Sequence, residues 1–448
     1  MRALIPVVVF ILLFIVVHLL LQKENVYDRS IGLLSDTWAK TDSGLQRVRE
    51  PFLAVTDSNL IHWDAAHYLL IRDHGYNQNL AKGDYIYAFF PAFPILLRTL
   101  KIPNKFIPIL NFILFVIGLL LLIAAFAPPK DSFQAALISL AFPGTIAFII
   151  PYTEGLFFLT ISAAFFGFVK KQYWLLFIGL FIAGTVRPSV TIFLLALLVG
   201  AIYTMIKSRS FSKGISRFSF FAIPMIAGTF TVMLYQWGEG SDSLFAFMKA
   251  QERWGHVFRM PAVFYDWSHE GFGMNIATLL IVFPFFIFLF IPQVISAFKT
   301  PDTSVTKTEF IQISCLAFVA GTCLYILFFQ GGSLNGLFRY ILCTPMFFVL
   351  AFSSFDKIQS NVLPRAILGY LALALTAFVI VSKLPYAGDW EFFDAGFYIV
   401  ILACFLLIQI NLSRNTYWQV LSWITLLFNV IWTSFLFNNF LADSWIFT

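Results

Sequence analysis

Apolar runs, most of them about 18–22 residues and so long enough for a helix to cross a bilayer, recur along this chain between short polar connections. They predict transmembrane helices at 4–21, 106–126, 133–150, 152–169, 172–186, 189–206, 218–236, 276–298, 310–329, 338–354, 364–382, 395–411 and 416–437, thirteen in all. Two longer segments, 22–105 and 237–275, mix polar, charged and aromatic positions. The pattern predicts one all-α polytopic membrane domain over 1–448, with interfacial helices in the first long loop. The opening run, Leu4 to Leu21, lacks a small-residue cleavage site before Gln22-Lys23-Glu24 and is expected to stay as a span.

Composition excludes an ordinary soluble domain: 60% of the 448 residues are hydrophobic, only 12% are charged, and 56 are phenylalanine. The formal charge of +6 does not imply nucleic acid as a partner, because it sits mostly in the loops between spans. With a cytoplasmic N-terminus, 13 Lys and Arg fall in short cytoplasmic loops, including Lys170, Lys171, Lys207, Arg209 and Lys307. The opposite short loops hold 3: Arg187, Arg339 and Lys383. The remaining 13 lie in the two long loops, which the positive-inside rule leaves out. Cys315, Cys323, Cys343 and Cys404 all sit inside apolar runs, without disulfide or metal-binding spacing.

This topology sorts the unusual residues. His62-Trp63-Asp64-Ala65-Ala66-His67-Tyr68, Pro151-Tyr152-Thr153-Glu154, Arg187-Pro188, Gln251-Glu252-Arg253-Trp254-Gly255-His256 and Arg339-Tyr340 all fall on the extracytoplasmic face. The charge count does not itself require that convergence. In an interfacial helix Asp64 and Tyr68 share a face at i, i+4, with His67 beside them. A carboxylate partly removed from water is a better proton acceptor, whereas the bland reading of Asp64 is a helix cap or an ion pair with Arg72 or Lys82. Glu154 just inside a span calls for a cavity or a cationic partner; its bland reading is a turn residue reaching water. Arg187, Arg339 and Arg253 are candidates for phosphate, which arginine holds bidentately; snorkelling to the interface is the alternative. The loop aromatics Trp63 and Trp254 suit either sugar stacking or interfacial anchoring. His62, Asp64, His67 and His74 lack the spacing of a dedicated metal site.

The blocks Trp63-Asp64-Ala65-Ala66-His67-Tyr68, Gly75-Tyr76 and Ala88-Phe89-Phe90-Pro91-Ala92-Phe93-Pro94 resemble the GPI mannosyltransferase 2 (PIG-V) family and its bacterial relatives. Pro151-Tyr152-Thr153-Glu154, Arg187-Pro188, Gln251-Glu252-Arg253-Trp254-Gly255 and Phe338-Arg339-Tyr340 follow in that family's order, so the resemblance covers about 60–345. Cys343-Thr344 departs from a stretch that is usually more apolar, and the last hundred residues match only in being hydrophobic. The resemblance implies a GT-C glycosyltransferase that takes a sugar, mannose in the family, from a polyprenyl-phosphate donor with inversion. It implies Asp64 as the catalytic base. Arg339, Arg187 and Arg253 are then expected at the donor phosphate, with Arg339 first among them. Trp63, His67, Tyr68, Glu154, Gln251, Trp254 and Tyr340 are expected as substrate contacts. The acceptor would be a glycolipid or glycan hydroxyl, among membrane lipids. No cofactor is required by the sequence, and a divalent metal is compatible with it but not indicated. The alternative classes are a lipid or solute transporter and a non-catalytic scaffold; polar groups gathered at one face without an internal repeat speak against transport. The sequon Asn411-Leu412-Ser413 falls on the expected cytoplasmic side, and the expected outer loops have none. That pattern points to a bacterial inner membrane rather than the endoplasmic reticulum.

Overall fold

The computed structural model describes residues 2–23, 36–41, 44–49, 52–76, 83–260, 304–329, 336–354 and 416–443, with a few isolated positions between them. Six helices there are long and apolar enough to cross a membrane: Leu4–Leu21, Asn104–Phe126, Val190–Ser208, Phe211–Gly238, Lys307–Phe329 and Ser422–Leu441. Two shorter apolar helices, Glu154–Val169 and Tyr173–Val186, pack between them. The expected spans 276–298, 364–382 and 395–411 lie outside the described residues.

In chain order the helices are α1 (Leu4–Leu21), α2 (Trp63–His74), α3 (Ala92–Leu100), α4 (Ile107–Phe126), α5 (Ser132–Ala141), α6 (Glu154–Val169), α7 (Tyr173–Val186), α8 (Val190–Ser208), α9 (Phe211–Gly238), α10 (Ala246–Arg253), α11 (Lys307–Phe329), α12 (Leu337–Ile341), α13 (Pro345–Ser354) and α14 (Thr416–Leu441). Packing runs α4–α6–α7–α9–α8–α11–α13, while α1, α5 and α14 form a second group tied to the first through α4 and α5. The fold departs from all-α in one described place. An antiparallel hairpin, β1 (Asp36–Thr41) and β2 (Gly44–Arg49), pairs Asp36 with Arg49 and Thr41 with Gly44. Its physical reason is local: Asp42-Ser43-Gly44 is turn-favouring, and the flanking residues are too polar to build an apolar helix face.

Two expected spans are broken, and proline breaks both. The run 133–150 divides into α5 and a 3₁₀ segment at Pro143–Phe148, with Phe142 held extended before Pro143. Asn429 of α14 donates to the freed Leu140 carbonyl at 2.6 Å and to Thr145 Oγ1 at 3.0 Å. Irregular backbone at membrane depth survives only where protein satisfies it. Accordingly, residues 134–142 and 144–150 are all buried. The run 338–354 divides into α12 and α13, the second starting at Pro345.

Helices α8 and α11 run past each other with distinct ends. At one end Lys207 and Tyr203 hold Glu309, and Lys307 reaches the Phe168 carbonyl at 2.6 Å. At the other end lie Arg187, the start of α8 and the last turns of α11, and there the chain leaves a cavity.

Candidate active site

The cavity, about 480 Å³, is lined by residues from α2, the start of α8, α10 and the loop after it, α11 and α12. Each element is pinned. α2 ends at Gly75, whose φ of +73° suits glycine at a helix C-terminus; a Cβ there would also come within 2.9 Å of Glu239 Oε2. Arg98 of α3 donates to the last-turn carbonyls of α2, those of Ile71 and Arg72. At the other end of α2, Trp63 has φ +50°, a conformation rarely taken by bulky residues, and it directly precedes Asp64.

The turn before α6 is set from below by Asn111, fully buried in α4. Its side-chain nitrogen donates to the carbonyls of Ile150 at 2.6 Å and Tyr152 at 3.0 Å. Gly155 lets the two helices meet backbone to backbone, since a Cβ there would lie 2.7 Å from the Asn111 carbonyl oxygen. Glu154 is thereby fixed at the first position of α6, fully buried.

Two carboxylates and two guanidiniums then close a formally neutral chain. Glu154 Oε1 accepts from Arg187 Nη1 at 2.8 Å and from Arg339 Nε. Arg339 Nη1 donates to Asp64 Oδ2 at 2.6 Å. Arg339 is 4% exposed, its guanidinium lies over the Tyr152 ring at 4.4 Å, and it too lines the cavity. The Asp64 side chain keeps 25% of its surface. Arg187, bonded to Glu154, lines the cavity beside Pro188 and Ser189 at the N-terminus of α8, and its guanidinium lies 5.3 Å from the centre of the Tyr340 ring.

Asp64, Tyr68, Arg187, Gln251, Trp254, Arg339 and Tyr340, expected from widely separated parts of the sequence, thus line one cavity, with Glu154 beneath them. His67 sits one layer back, stacked on Phe89 at 4.4 Å and edge-on to Trp254. Trp63 is half-exposed and outside the cavity lining. The Arg253 side chain lies outside the described residues. Tyr68 reaches Thr153 Oγ1 at 3.4 Å, and burial pushes its phenol well above the usual tyrosine range, so it remains a neutral hydroxyl. His62 turns away to Asp443 at 3.0 Å and packs on Phe440. Among the described residues no three His, Cys, Asp or Glu gather into a metal-binding group.

Sequence reasoning missed Asn111 and the lining residues Thr322 and Tyr325 as parts of the site, and singled out His256 only as the end of the Gln251–His256 segment. A lone asparagine inside an otherwise apolar span was the available signal for the first, since such a group needs partners in a membrane. Thr322 and Tyr325 carry no such mark in a helix that also contains Thr308 and Ser314.

Fold and site define a polytopic helical membrane protein with a charge-floored cavity at one end of its helices. Over 133 aligned residues the chain is 30% identical to GPI alpha-1,6-mannosyltransferase 2 of Homo sapiens, a match spanning 26% of this chain and 26% of that protein. No family model and no solved structure matches the chain.

Proposed function

We propose that this protein is an inverting glycosyltransferase of the GT-C type, moving a sugar from a polyprenyl-phosphate donor to a hydroxyl of a lipid-linked or envelope glycan acceptor. The observation that carries the reading is the Asp64–Arg339–Glu154–Arg187 chain, which presents a carboxylate and a guanidinium to one cavity. The partial likeness to the human mannosyltransferase supports mannose as the sugar. The cavity lies at the opposite end of α8 and α11 from Lys207 and Lys307, which supports an extracytoplasmic site by the positive-inside rule.

In this mechanism Asp64 accepts the proton of the acceptor hydroxyl as its oxygen attacks the anomeric carbon. The bond from that carbon to the phosphate oxygen breaks on the opposite face, and the lipid leaves as a phosphomonoester. Arg187 meets the charge growing on that phosphate, helped by the N-terminus of α8. Arg339 acts here as a positioning residue, since it holds Asp64 and Glu154 together. Glu154 aligns the two arginines. Apolar lining from Ile192, Phe247, Met248, Ile326 and Phe329 suits the polyprenyl chain.

Purified protein given radiolabelled polyprenyl-phosphate mannose and candidate glycolipid acceptors should transfer label. Asp64→Asn should abolish transfer while polyprenyl phosphate still binds; full transfer by that variant would remove the base assignment. Movement of donor across a vesicle without transfer would favour a transporter.

A further inference from the structure

One face of α11 presents Thr322, Tyr325, Ile326 and Phe329 to the cavity at helical spacing, so polar groups precede apolar ones along the wall. Thr322 is only 3% exposed, yet its hydroxyl has no hydrogen-bond partner among the described residues. Thr204 of α8 bonds back to the Gly200 carbonyl, Ser314 of α11 itself to Phe310 and Thr185 of α7 to Ile182, whereas Ser162 of α6 is unpartnered like Thr322. A buried hydroxyl that forgoes this bond costs stability unless something else occupies it.

His256 completes the wall. Gly255, at φ +82°, reverses the chain after α10, and the His256 amide returns to the Gln251 carbonyl at 3.2 Å. The imidazole then stacks on Tyr325 with an interplanar angle of 20°, its Nδ1 3.4 Å from the Tyr325 hydroxyl. Burial holds His256 below the usual histidine range, so the ring is neutral and offers one donor and one acceptor. Together the three side chains offer donors and acceptors without charge. That suits vicinal hydroxyls, whereas an anion finds its match at Arg187.

The position of this wall selects which hydroxyls. A Cβ on Gly321 would lie 3.3 Å from Ile192, so the α11 face abuts the start of α8, where Arg187 and Ser189 line the cavity. We infer that Thr322, Tyr325 and His256 form a neutral subsite for the pyranose ring carried by the lipid phosphate. The inference rests on reading the cavity as that of a lipid-phosphate sugar transferase.

The test compares binding of polyprenyl-phosphate mannose and bare polyprenyl phosphate to the full-length protein in nanodiscs, with no turnover needed. The native protein should prefer the mannosylated lipid by about 5- to 30-fold, the worth of one or two net hydrogen bonds. Thr322→Val and Tyr325→Phe, both nearly isosteric, should erase that preference and leave affinity for the bare lipid unchanged. Equal affinity of the native protein for the two lipids, or variants that keep the preference, would overturn the subsite. Failure of the native protein to bind either lipid would instead overturn the functional reading beneath it.

Discussion

Arg339→Lys separates positioning of the base from binding of the donor. The guanidinium of Arg339 spans two carboxylates, Glu154 through Nε and Asp64 through Nη1 at 2.6 Å. Lysine keeps the charge but has a single nitrogen, which cannot hold both partners in that fork geometry. One charge-assisted hydrogen bond is lost, about 1.5–3 kcal/mol. If that bond orients Asp64 in the transition state, the rate falls about 10- to 150-fold. The loss should appear in kcat, with the KM for the polyprenyl-phosphate sugar nearly unchanged, in steady-state transfer assays with either substrate varied. Arg187→Lys should raise the donor KM as well as lower kcat, because Arg187 meets both the bound phosphate and the charge that grows on it. A raised donor KM with unchanged kcat in Arg339→Lys would refute the reasoning and return Arg339 to the phosphate.

Glu154→Gln leaves two buried guanidiniums facing one carboxylate, and removing one member of a buried ion pair costs about 3–5 kcal/mol; a thermal unfolding midpoint equal to that of the native protein in the same detergent would contradict the charge chain. Asn111→Leu strips the Ile150 and Tyr152 carbonyls of their donors, at about 1–3 kcal/mol for each buried group left unpaired, and the same thermal assay reads it. For His256, the lowered folded value means that below about pH 6.5 the unfolded chain takes up a proton while the folded protein does not, so stability declines as pH falls through that window. His256→Gln should flatten this part of the pH profile, and an unchanged slope would argue that the imidazole does not contribute.

The gathering of Asp64, Glu154, Arg187 and Arg339 was legible before any coordinates, because alternating spans sort loops by parity and a charge stranded in an apolar chain is conspicuous. What each charge touches was not legible. Nothing in the spacing distinguishes an arginine that binds phosphate from one that holds two carboxylates, and on that point the role proposed for Arg339 departs from the expectation. Span boundaries were legible where the apolar run is continuous, as in α1 and α4. They were misjudged at 133–150 and 338–354, where hydropathy averages over Pro143 and Pro345 and so hides the break. Tyr325 and Thr322 escaped notice because helical phase relative to a cavity depends on how α11 is rotated against α8, a tertiary property absent from the local pattern. The hairpin at 36–49 is too short and polar to register as anything but loop in a chain read for spans.

The broken crossing at 132–150 has a bearing on the membrane itself. Lipid-facing helices tilt or shift to match the thickness of the hydrocarbon layer around them. Residues 134–142 and 144–150 instead meet protein, and they lead directly to Glu154. The height of the charge floor relative to α4 and α14 is therefore set by contacts to Asn111 and Asn429. The site should keep its depth, and its rate, in bilayers whose acyl chains differ in length.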